Sequence, residues 1–169
     1  MVGLPDDKPA RSPAREGIFR ATRGAVYVEF LIAFLPVFFF FLSLVQLMFV
    51  QTANLVVKHA AVKAARAAVV VLHDDPKFYG GVPMGSFSGQ RKADIERAAK
   101  IPLAPLGVAA SAVTVAMNSS YRRDDLVKVT VECEYTCKVP WGRFTVCGGG
   151  KKKLVGEAAM PNQGAEFEY

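Results

Sequence analysis

Arg23-Gly24-Ala25-Val26-Tyr27-Val28-Glu29-Phe30 opens an apolar run that meets no further charge until Lys58. One carboxylate, Glu29, stands at the front edge of a segment long enough to cross a bilayer. From Phe30 to Val50 there are about 16 Phe, Leu, Ile or Val residues, and at a few tenths of a kcal/mol each they favour insertion by about 5 kcal/mol. Glu29 opposes this by at most about 3 kcal/mol, and by less near the interface, so insertion wins. About 21 residues at roughly 1.5 Å of rise reach about 31 Å, the thickness of the hydrocarbon core. Pro36 would cost about 3 kcal/mol inside a soluble helix. In a membrane segment neighbouring helices and local adjustment satisfy the freed carbonyl, so it reads as a kink or local loosening.

Upstream, residues 1–24 carry Lys8, Arg11, Arg15, Arg20 and Arg23 against Asp6, Asp7 and Glu16, interrupted by Pro5, Pro9 and Pro13. This composition predicts a basic cytoplasmic leader without regular structure. The positive-inside bias holds it in the cytoplasm and sends the C-terminal part across the membrane. No Ala-x-Ala-like cleavage site interrupts the long apolar run, so the segment is expected to stay with the protein.

Downstream, the helix is predicted to continue as an amphipathic stem, giving one segment over 25–73. Val57, Ala60, Ala61, Ala64, Ala67, Ala68 and Val71 fall at steps of three and four, with Asn54, Lys58, His59, Lys63 and Arg66 on the other side. Side chains this small let a helix lie close against a sheet or another helix. Asp74-Asp75-Pro76 ends the stem, because the residue before proline is pushed out of the α region. A glycine-rich loop over 76–90 and a short charged helix from Arg91 to Lys100 follow, the latter packing through Ile95, Ala98 and Ala99. Pro102 and Pro105 predict an irregular connection.

The most regular pattern in the remainder is a strand. Val127, Val129, Val131, Cys133, Tyr135, Cys137 and Val139 alternate with Lys128, Thr130, Glu132, Glu134, Thr136 and Lys138, the period of an antiparallel strand with one wet face. Ala112 to Met117, Phe144 to Cys147 and Lys153 to Met160 are its candidate partners. The expected architecture is α+β: a long N-terminal transmembrane helix and stem packed on an antiparallel sheet of three or four strands. The head, 74–169, is extracytoplasmic in this reading. About 120 residues follow the membrane segment, enough for one small domain.

Cys133 and Cys137 share a strand face but stand about 13 Å apart in extended chain, too far to bridge. Cys137 with Cys147 is the favoured pair, closing the hairpin at Trp141, although a plain hairpin register puts Cys147 on the opposite face. Cys133 with Cys147 is the rival. Other chemistry finds little footing. His59 and His73 read as solvated, and no ligand set for a metal gathers around His73. Gly148-Gly149-Gly150-Lys151 lacks the spacing and the following Ser or Thr of a phosphate loop. The net charge of +6 is partly in the leader and otherwise mixed with acids, which gives no nucleic-acid footprint. No nucleophile and base pair is indicated, so neither an enzyme nor a small-molecule substrate or cofactor is expected.

Gly24, followed by Glu29 as the fifth residue after it and then Phe30, resembles the processing site of type IV pilin-like proteins. With Pro36 seven residues after Glu29, the stretch Glu29-Phe30-Leu31-Ile32-Ala33-Phe34-Leu35-Pro36 is similar to the TadE-like family of the tight-adherence pilus system. Ala64-Ala65-Arg66-Ala67-Ala68 resembles the small-residue and arginine stretch that such proteins carry next. Flp-type major pilins are much shorter and usually have Tyr where this chain has Phe30, so the resemblance points to a minor, pseudopilin-like subunit. It implies cutting by a prepilin peptidase between Gly24 and Ala25, a bacterial inner-membrane location, and partnership with other pilin-like subunits and the assembly machinery. The physics of Glu29 adds an independent reason: its carboxylate in one subunit would neutralise the freed amine of Ala25 in another, offsetting two desolvation penalties. The alternative is a permanently anchored extracytoplasmic scaffold or binding protein in which Glu29 faces headgroups.

Overall fold

The computed structural model describes residues 22–122 and 125–162. The leader as far as Ala21 and the tail with Phe167 and Tyr169 lie outside the described residues. Among the described residues the α-helices and strands follow in the order α1 (Thr22–Val71), α2 (Gly89–Lys100), β1 (Val113–Ala116), β2 (Leu126–Thr136), α3 (Gly142–Thr145) and β3 (Lys151–Pro161). The chain divides into two compact units, one ending at Phe40 and the other running from Phe41.

The described part of the first unit is helical and apolar. Phe30, Phe34 and Phe38 recur every fourth residue, and their rings stack at centroid distances of 5.3 and 5.6 Å, as the i,i+4 geometry of a helix allows. Val26, Ile32 and Phe40 are each about two-thirds exposed. Pro36 lies inside α1 and does not end it. This helix is long and apolar enough to cross a membrane.

The second unit is an α+β domain. Its sheet has the order β1-β2-β3 with both pairs antiparallel. The inward residues of β2, Val127, Val129, Val131, Cys133 and Tyr135, are buried, and the stem residues Ala53, Val57, Ala60, Ala61, Ala64, Ala65 and Ala68 join them in one core. The buried stripe is wider than the sequence pattern implied, taking in Ala53 and Ala65. Gly156 of β3 explains how close the helix comes: a Cβ there would stand 2.6 Å from the Val57 carbonyl oxygen. On the wet face, Lys153 pairs with Glu132, Lys128 with Glu157 and Lys151 with Glu134 at 2.7, 3.3 and 3.2 Å. Such exposed pairs add little stability each.

Several local expectations are corrected. Phe144 to Cys147 is no strand; Gly142–Thr145 is a helical turn, so the sheet has three strands. A returning strand would carry Cys147 to the wrong face at about 3.3 Å per residue. A helical turn instead draws the chain in, with Arg143 N donating to Val139 O and Val146 N to Gly142 O, both at 2.9 Å. The loop after the stem starts with a 3₁₀ turn, Pro76–Tyr79, whose N-terminus is capped by the Asp75 carboxylate accepting from Lys77 N at 2.9 Å. Pro102 and Pro105 sit in a second 3₁₀ turn, Ile101–Leu106, where the short repeat tolerates their missing donors. Gln46 and Val50, both inside the expected span Phe30–Val50, are buried within the head.

Candidate functional site

Residues singled out by sequence fall in three places. The first is the start of α1. The helix begins at Thr22, so the Gly24–Ala25 bond lies within its opening turn, and both residues are exposed. Glu29 and Phe30 follow on the same helix, also exposed, and Glu29 pairs with none of the described residues. An acid on an apolar helix surface, with no partner among the described residues, has a charge that only water, a headgroup or another molecule can neutralise.

The second place is the connection between β2 and β3. Cys137 and Cys147 form a disulfide with Cα atoms 6.6 Å apart, while Cys133 remains a free, buried thiol. Desolvation pushes the Cys133 thiol above its ordinary pKa, which suppresses the reactive thiolate. The closed loop is held against the stem by a residue the sequence reading passed over. Gln46, fully buried, accepts from Val139 N at 3.0 Å through Oε1 and directs Nε2 toward Cys147 Sγ at 3.7 Å. Gly142 lies so near that a Cβ would strike the Gln46 side chain. The available signal was an amide within an otherwise apolar run; such a group is expensive unless protein surrounds it.

The third place is the C-terminal end of the stem, where Arg91 is completely buried. Its guanidinium donates to the carbonyls of Val71, Asp74 and Val82, the last two at 2.8 and 3.2 Å, and lies 4.3 Å over the Tyr79 ring. The Tyr79 hydroxyl donates to Asp74 Oδ2 at 3.1 Å. The Val71 and Asp74 carbonyls lie at and just past the C-terminal end of α1, where a cation is well placed. Burial pulls the Arg91 pKa down, opposed by Tyr79, Asp74 and Asp75. Burial also pushes Tyr79 up, reinforced by its bond to Asp74. Sequence reading placed Arg91 only as the start of a short charged helix, which begins instead at Gly89. His73 is likewise corrected: it is buried and its Nε2 meets Asn162 Nδ2, whereas His59 is exposed.

Among the described residues no cluster of three or more His, Cys, Asp or Glu side chains gathers. An open depression of about 480 Å³ beside β1 and β2 is lined by Glu132, Glu134 and Lys153, with Cys133 at its floor. Comparison with protein-family models, curated proteins and solved structures finds no match to the chain.

Proposed function

We propose that this chain is a minor pilin-like subunit, a pseudopilin, of a tight-adherence or type IV-like pilus or a related secretion machine. It sits in the bacterial inner membrane as a single-pass protein, its N-terminus cytoplasmic and its head periplasmic or extracellular. It has no catalytic role and helps to initiate or assemble the filament. The observation that carries this reading is Glu29: exposed, five residues beyond Gly24, on an apolar helix whose later half packs on an α+β head. A carboxylate so placed is suited to meet the amine released at Ala25 of a neighbouring subunit. The same pairing would fix the axial register between subunits.

Intact-mass measurement on the membrane-extracted protein tests it. The expected mass begins at Ala25. Glu29→Gln is expected to retain membrane insertion and to lose co-purification with assembled pili. A second reading, a permanently anchored extracytoplasmic scaffold, is favoured by the position of the Gly24–Ala25 bond inside the opening turn of α1. A chain still beginning at Met1, with Glu29→Gln behaving as the parent, would transfer the assignment to it.

A further inference from the structure

The disulfide loop between β2 and β3 presents its aromatic side chains outward. Phe144 is 72% exposed and Trp141 42%, although both lie in a loop tied down at several points. Beside the Gln46 contacts, Ser43 Oγ and Thr145 Oγ1 share a hydrogen bond of 3.1 Å. The loop is therefore pinned to α1 at Ser43 and Gln46. At this level α1 itself shows lipid-like side chains, Phe41, Leu44, Leu47 and Met48, all exposed. In a span that starts at Phe30, Ser43 and Gln46 stand about 20 and 24 Å along at roughly 1.5 Å per residue, in the outer leaflet of a core about 30 Å thick.

The loop's own chemistry suits that depth. Its backbone donors are largely engaged internally: Arg143 N with Val139 O, Phe144 N and Thr145 N with Trp141 O, Val146 N with Gly142 O, and Cys137 N with Gly150 O. These bonds lower the cost of taking that part of the backbone out of water for contact with acyl chains. The polar atoms of Gln46 and Ser43 are turned onto the loop, so they do not interrupt the apolar surface. Lys138 and Arg143, exposed on either side of Trp141, are within reach of lipid phosphates. Tryptophan favours the headgroup level, where its apolar ring and N–H are both accommodated.

We propose that the loop Cys137–Cys147 is an interfacial membrane anchor: Trp141 and Phe144 enter the headgroup and upper acyl region of the bilayer that α1 spans, seating the head on an anionic lipid surface. This rests on α1 being a membrane span, and the test separates the two.

Trp141 is the sole tryptophan, so the full chain reports its own position. Reconstituted in phosphatidylcholine and phosphatidylglycerol vesicles, it is expected to be quenched by lipids brominated high on the acyl chain, weakly by those brominated near the chain end, and little by aqueous iodide. Phe144→Asp, at an exposed site that leaves the core intact, is expected to lose much of the lipid quenching and gain iodide quenching. A chain that resists alkaline carbonate extraction while Trp141 is open to iodide would overturn the anchor and leave the membrane span standing. Release by carbonate would overturn both. Trp141 shielded from iodide and brominated lipid alike would mean that protein covers it, replacing the anchor with a subunit interface. Unchanged lipid quenching in Phe144→Asp would remove Phe144 from the anchor as stated.

Discussion

The two halves of α1 are built from opposite materials. As far as Phe40 the helix carries bulky aromatic and branched side chains that face outward with no core to cover them; beyond Ala53 it carries mostly alanine on its buried side, packed to zero exposure. Large exposed apolar surface is stable only in an apolar surrounding. Small side chains contribute little buried area each and matter because they let backbones approach. Hydrophobicity alone would class both halves together. Side-chain size separates a helix that meets lipid from one that meets protein.

The sharpest way to break the comparison is at Arg91. Arg91→Ala leaves the carbonyls of Val71, Asp74 and Val82 buried without their donor, and is expected to cost about 4 kcal/mol by thermal or denaturant unfolding of the head in detergent. Arg91→Lys should recover only a fraction, since one ammonium cannot reproduce a planar fork stacked on Tyr79. Gly156→Val comes next. Its side chain would enter the space of the Val57 carbonyl, and about 3 kcal/mol of destabilisation is expected from overpacking.

A smaller effect should follow from pH. Burial raises the pKa of Tyr135 and Cys133, and burial with the Asp74 bond raises that of Tyr79. The folded head therefore holds these protons more tightly than the unfolded chain. Their contribution is fully present below the ordinary thiol and phenol values, about 8.5 and 10, and is lost as pH rises through the folded values. The melting temperature of the head should fall on the alkaline side and stay flat from these groups near neutrality. In the same samples Cys133 should alkylate slowly until the head unfolds. At the bottom of the scale, Phe34→Ala or Phe40→Ala should move the head's melting by less than about 0.5 kcal/mol. A larger shift would contradict the separation of the two halves.

What sequence revealed was whatever repeats along the chain. The apolar run, the alanine stripe from Val57 to Ala68 and the alternation from Val127 to Tyr135 each imprint a period, and α1, the buried stem face and β2 follow them. The missed features depend on partners far away in the chain. Gln46 is settled by Val139, 93 residues on, and Arg91 by the carbonyl of Val71, 20 residues back. No local pattern records that a polar side chain will find its acceptors. The four-residue turn Gly142–Thr145 is too short to show any period, and its second half fell in the stretch Phe144 to Cys147 that was read as a candidate strand. The pilus reading belongs to neither class: it comes from the spacing of Gly24, Glu29 and Pro36, to which folding of the head is indifferent.

Gly156 also governs where β3 may slide. It stands opposite Val131, with Cys133 opposite Leu154 and Thr130 opposite Glu157. The charges would permit a different alignment: a two-residue slip in one direction sets Lys151 against Glu134, Lys153 against Glu132 and Glu157 against Lys128, turning three diagonal contacts into direct ones. That slip also brings Leu154 to the position opposite Val131, and the reverse slip brings Ala158 there. Either side chain would be driven into the backbone of the crossing helix, so a missing methyl works as the notch that accepts only one setting of the lock, and the electrostatic ladder on the far side merely decorates it.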